Sequence, residues 1–263
     1  MAALASYPWL GCLGEGYEVP SLWGVKEDVY CAGKDSTFVF LEDVLTEVTD
    51  LFPYELVHIG GDECPKARWK ECPRCQRRMR DEGLGSEEEL QSYFVRRIER
   101  FLASRNRRMV GWDEIRQGGL SETAIVLSRK REQGLRSALE NGNDVIMTPY
   151  LNCYFDYYQG SRETEPLAFG GFLPLRTAYD LDPFEGLNAS SRAGFWACSA
   201  TCGPSSLRRS TMPSICCCPD WRLSPNGLGR EAKELSRFPG RLESFSRLRR
   251  AGIRVSGFPV GSR

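Results

Sequence analysis

Four short apolar runs, set apart by segments of helical spacing, constrain this chain more than any other feature. The runs are Leu56 to Gly60, Met109 to Trp112, Ala124 to Leu127 and Asp144 to Thr148. Each has the length of a strand. Ahead of the first, residues 36 to 51 place Phe38, Leu41, Val44, Leu45 and Val48 on one helical stripe. Residues 87 to 105 do the same with Leu90, Phe94, Ile98, Phe101 and Leu102, and Ser86 with Glu89 forms the Ser-x-x-Glu pattern of a capping box. A further helix is expected over 132 to 141. Strand, helix, strand, helix in alternation predicts an α/β fold with a parallel sheet.

Composition narrows the class. Lys+Arg and Asp+Glu each number 35, so the formal net charge is zero. Such balance offers neither a nucleic-acid nor a membrane surface a basic footprint. No apolar run approaches the ~18 residues of a membrane span. The first six residues lack the charged and apolar regions of a signal peptide and read like the middle of a domain. At 263 residues the chain can form one large domain or two small ones.

The most informative string is His58-Ile59-Gly60-Gly61-Asp62-Glu63. It follows the apolar Leu56-Val57 and ends on two adjacent carboxylates. Neighbours on a strand point to opposite faces, so an acid pair serving one site needs a kink, and Gly60-Gly61 can supply it. The bland alternative is a loop whose acids face water. The string holds the only histidine of the chain, which makes it more specific than an Asp-Glu pair alone.

Those six residues resemble the catalytic signature of the β-N-acetylhexosaminidases, family 20 of the glycoside hydrolases. The resemblance extends through Tyr7 to Cys12, Asp28 to Gly33, Cys64 to Gln76, Gly111-Trp112-Asp113-Glu114-Ile115, Asp144 to Pro149, Tyr154 to Gly160, and Thr164 to Leu167 with Gly170-Gly171. It covers residues 1 to about 185 and about 231 to 258. It implies a (β/α)8 TIM barrel, with this chain as a C-terminal portion of the catalytic domain lacking about three strands. In such barrels chemistry sits at the carboxyl ends of the strands, where every motif above falls.

The same resemblance implies roles. Glu63 is the general acid, and later the base, of substrate-assisted retaining hydrolysis, in which the sugar's 2-acetamido oxygen is the nucleophile. That role calls for a raised pKa, expected from partial burial and from Asp62. Asp62 orients the acetamido group. Trp112 walls the pocket, Tyr154 donates to the acetamido oxygen and Asp156 binds sugar hydroxyls. Tyr154 and Asp156, two apart, are expected on one face of an extended segment. His58 supports the motif from behind, and Asp113 and Glu114 assist. The substrates implied are glycans ending in N-acetylglucosamine or N-acetylgalactosamine, with no cofactor and no metal, in a periplasmic or secreted enzyme. Ser128-Arg129-Lys130-Arg131 departs from the family's Ser-Trp-Arg-Gly-like segment and puts a cation in place of a pocket wall. With that wall and the first strands' sugar contacts absent, the chain alone is expected to be weakly active or inactive, and a non-catalytic sugar-binding remnant is the second reading.

Two features stand outside this scheme. Between about Ser190 and Arg230 periodicity vanishes and Cys, Ser, Pro and Arg crowd together. The codons implied from Phe195 onward, read in another frame, permit a string of the family's last-strand type containing Asn-Val-Trp-Thr-Glu. A frameshift entering near Gly194 and closing near Arg230 accounts for this; a stop codon in that frame of the gene refutes it. The second feature is cysteine, eleven in all. Cys72-Pro73-Arg74-Cys75, with Cys64 eight residues before, has the spacing of half a zinc site, to which Cys12 or Cys31 could add a ligand. Disulfides or buried thiols are the alternative.

Overall fold

The computed structural model describes residues 2–22, 24–130, 140–168 and 170–182, together with the backbone of 195–198. Its centre is a five-stranded sheet of β1 (Leu56–His58), β2 (Arg108–Trp112), β3 (Ile125–Ser128), β4 (Asp144–Met147) and β5 (Phe195–Cys198), lying side by side in chain order. Every pair is parallel. Parallel neighbours require crossovers. Crossovers that always advance to the next position wind a sheet the way a barrel is wound, whereas a doubly wound sheet reverses its order at a switch point. The sheet is a contiguous arc of a (β/α)8 barrel, as the family resemblance implies. Three of the four expected strands begin or end within a residue of their predicted bounds, and β1 stops two residues short, at His58.

The long helices follow from their stripes. Asp35–Leu51 (α2) buries Phe38 and half-buries Leu41, Leu45 and Val48, whereas Val44, expected on the stripe, is exposed. Glu87–Ser104 (α5) begins at Ser86, whose hydroxyl accepts from Glu89 N at 3.2 Å. The Glu89 carboxylate reaches back to Gly85 N at 2.8 Å, one residue earlier than a capping box closes. These helices pack Phe38, Val95, Ile98 and Leu102 against Met109, Ile115 and Ala124, the main core. Each of these side chains larger than alanine contributes about 1.5–3 kcal/mol by leaving water.

The sequence reading passed over two short helices, Ala67–Glu71 (α3) and Pro73–Asp81 (α4). Five of the nine α4 residues are charged, and its buried face is only Cys75 and Met79, one helical turn apart. That face is too sparse to read as a stripe. With Cys31, Ala32, Trp69, Cys72 and Leu90 it forms a second core. The helix expected over 132 to 141 lies almost wholly outside the described residues, as do most of the anomalous stretch and residues 231 to 258. Within that stretch, β5 pairs with β4 as an ordinary parallel strand, with one irregularity between Val145 and Ile146. Among the described residues no helix is long and apolar enough to cross a membrane.

Candidate active site

The loop after β1 is bent by its glycines, as its sequence suggests. Gly60 and Gly61 take φ of 75° and 92°, and Glu63 itself takes 49°. A positive φ costs a non-glycine residue of order 1 kcal/mol or more and is often found at functional positions. The turn is tied to its neighbours at several points. Ile59 N and Trp112 N bond to Val110 O and Gly60 O, each at 2.9 Å. The Gln91 amide donates to Gly61 O at 2.8 Å, and Lys66 donates to Gln91 and to Cys64 O. Ile115, fully buried, lies beneath: a Cβ on Gly61 would fall 2.3 Å from its Cγ2, and one on Gly111 2.7 Å from its Cδ1. Glycine at both positions lets two strand ends close over one side chain.

Around this turn, the ends of β1, β2 and β3 meet through Arg129, which follows β3. Its guanidinium donates to Asp62 Oδ2 at 3.2 Å, bonds Glu114 Oε1, lies 3.9 Å from Asp113 Oδ1, and covers the Trp112 ring with Cζ 4.8 Å from the centroid. Three carboxylates brought this close would repel one another, and the cation between them offsets that. The sequence marked Arg129 only as a lost wall; its central place was missed. The available signal was a cation at the carboxyl end of a strand whose neighbours end in acids. Asp113 is the most perturbed acid. Burial, then Glu114, push its pKa up to about 6, against the opposing pull of Arg129.

The remaining expected residues are distributed as follows. Trp112 is half-buried, with the His58 ring edge-on at 5.3 Å. His58 Nδ1 accepts from Gly60 N at 3.0 Å, so it braces both the turn and Trp112, and its remaining proton is on Nε2. Tyr154 is half-buried and tilted against Tyr157 at 5.7 Å; burial raises its pKa while Arg129 opposes the rise. Asp156 has a buried Oδ1 with no hydrogen-bond partner, and burial raises its pKa. An orphaned buried acceptor is costly unless something meets it.

Two expectations need correction. The segment from Tyr154 to Asp156 is a turn rather than extended, because Tyr157 N bonds back to Tyr154 O at 3.2 Å. Glu63 is exposed instead of partly buried: the left-handed backbone at Glu63 turns it toward an open depression of about 320 Å³, shared with Cys64, Lys66, Gln91 and Glu114.

The family model for the glycosyl hydrolase family 20 catalytic domain matches residues 1–198. A β-hexosaminidase of Porphyromonas gingivalis is 52% identical over 184 residues, 70% of this chain and 24% of that protein. One from Vibrio furnissii is 35% identical over 185 residues, 69% of this chain and 30% of that protein. Among solved structures, an exo-β-N-acetylglucosaminidase of Vibrio harveyi in complex with N-acetylglucosamine matches 88% of this chain and 38% of its own, with a TM-score of 0.65 and 26% identity. The chain thus spans about a quarter to a third of the length of these two curated relatives. A match over residues 1–198, more than half of the chain, together with the barrel arc and the acid pair at its strand end, places the chain in glycosyl hydrolase family 20.

Proposed function

We propose that this chain carries the acid/base portion of a β-N-acetylhexosaminidase site. Its reaction is the removal of terminal non-reducing N-acetylglucosamine or N-acetylgalactosamine from glycoconjugates. The observation that carries the reading is the Asp62-Glu63 pair, held on a glycine-bent turn at a strand end beside Trp112 and the Arg129-linked Tyr154. The acetamido oxygen attacks the anomeric carbon as the glycosidic bond breaks. Glu63 gives its proton to the departing oxygen, and an oxazolinium ion results. Water then adds at the same carbon, with Glu63 taking its proton, so configuration is retained. Asp62 holds the acetamido N–H and stabilises the positive charge that develops. Asp156, with its unpartnered Oδ1, suits a sugar hydroxyl.

Asp62 is already ion-paired to Arg129, and Glu63 is exposed. The acetamido group must compete with a guanidinium for Asp62, and the acid stands open to water. Both observations favour a second reading, sugar binding without turnover. Incubation of the purified 263-residue chain with an aryl N-acetyl-β-D-glucosaminide separates the two. Slow release of the phenol that Glu63→Gln reduces by about 10²–10⁴-fold supports the first. Binding of N-acetylglucosamine by NMR with no turnover selects the second. Turnover indifferent to Glu63→Gln overturns the assignment of Glu63.

A further inference from the structure

Four cysteines from three separate segments converge on one point. Cys12 follows the 3-10 turn Pro8–Leu10, Cys31 follows the bridge between Gly11 and Tyr30, and Cys72 and Cys75 sit at the start of α4. The four Sγ atoms all lie within 4.8 Å of one another. Cys31 is 3.6 Å from Cys75 and 3.7 Å from Cys72, and Cys12 is 3.9 Å from Cys75. Thiolates bound tetrahedrally to one zinc at about 2.3 Å stand roughly 3.8 Å apart along each edge. Disulfide sulfurs stand at about 2.05 Å, and all four thiols are free. The spacing is that of ligands around a single ion. The sequence had grouped Cys64 with Cys72 and Cys75; the fold leaves Cys64 outside and brings in both Cys12 and Cys31.

Ordinary buried thiols pack as small apolar groups. Three further observations set these four apart. Cys72 caps α4 with Pro73 at its first position, so the helix N-terminus favours thiolates there. A Cβ on Gly33 would fall 2.2 Å from Arg74 C and 2.5 Å from Cys75 N, so glycine is what lets the loop carrying Cys31 lie against the α4 backbone. Lys34 donates to Trp9 O and Gly11 O, each at 2.7 Å, binding the first two segments together.

We infer that Cys12, Cys31, Cys72 and Cys75 form a closed, structural tetrathiolate zinc site. All four positions are filled by protein, so no place remains for water or substrate. The soft, tetrahedral sulfur set selects zinc over magnesium or calcium, and its crowding leaves room for one ion rather than an iron–sulfur cluster. The site pins the first 34 residues to α4, which follows the Glu63 loop through α3, and so steadies the ground on which that loop rests. Nothing in this assignment depends on the glycosidase reading.

The test is elemental analysis of the full chain, expressed with zinc and dialysed, followed by X-ray absorption. The expected result is one zinc per chain with four sulfurs at about 2.3 Å, lost in Cys31→Ser and Cys75→Ser and kept in Cys64→Ser and Cys153→Ser. Should the serine variants fail to fold, cobalt is exchanged into the unmodified protein, where tetrahedral thiolate ligation gives intense visible bands. Three results overturn the inference: no stoichiometric metal and no such bands, zinc that persists in Cys31→Ser with Cys75→Ser, or Cys12–Cys75 or Cys31–Cys72 disulfides in peptides mapped without reductant. Stoichiometric iron in place of zinc overturns the choice of metal.

Discussion

Arg129 and Asp113 set the electrostatics of the candidate site. Asp113 is held at about 6, above the 3.8 of a free aspartate, chiefly by burial. Below pH 3.8 the carboxyl is protonated in both folded and unfolded chains, and it costs nothing. Between pH 3.8 and 6 the unfolded chain ionises this carboxyl while burial keeps it protonated in the folded protein, so stability falls over that window and levels off above it. Two pK units correspond to about 3 kcal/mol. Urea titrations across this range should show that loss in the parent and a flatter profile in Asp113→Asn. Arg129→Met removes the cation that opposes the rise, and should carry the falling limb to higher pH. Gly61→Ala adds a clash with Ile115 to a backbone at φ 92°. It should lower the unfolding free energy by about 1–3 kcal/mol; an unchanged urea midpoint would show that the turn tolerates a side chain. At this scale Asp62, Glu63, Trp112 and Tyr154 could be singled out as candidates because each occurs in a specific string. Arg129 was not, because its partners Asp62, Trp112, Asp113 and Glu114 stand at the ends of two other strands distant in sequence.

Among elements, α5 is the one on which most of the molecule leans. It supplies Val95, Ile98 and Leu102 to the main core, Leu90 to the second core and Gln91 to the turn that bears the acids. Its start depends on Ser86. Ser86→Ala removes the acceptor for Glu89 N and should cost about 1 kcal/mol, measurable as a shift of the thermal midpoint. Substitution of exposed Arg100 by Ala serves as the control and should leave that midpoint in place. The strands and long helices were legible because their apolar positions keep a regular period. The α3–α4 pair was not: its burial rests on Trp69, Cys72, Cys75 and Met79 amid arginines and lysines, and cysteine reads as ligand, disulfide or core with equal ease.

For the molecule as a whole, β1 stands at one end of the strand order, and among the described residues it pairs only with β2. Leu51, Phe52 and Tyr54, just ahead of it, are 74%, 60% and 73% exposed. Apolar side chains exposed side by side promote association. Sedimentation velocity should find concentration-dependent self-association, reduced when Leu51 and Phe52 are both changed to Lys; a monomer at all concentrations would refute this. The sequence by itself determined the parallel α/β class, the place of the acid pair at a strand end and the family, because periodicity and short motifs are local properties of the chain. Only the tertiary structure decided that Glu63 faces an open depression, that Arg129 joins Asp62, Asp113 and Glu114, and that Cys12 and Cys31 join Cys72 and Cys75 while Cys64 does not. Charge pairing and metal geometry are settled by distances between segments far apart in the chain, and those distances come into being only when the sheet and its helices have closed.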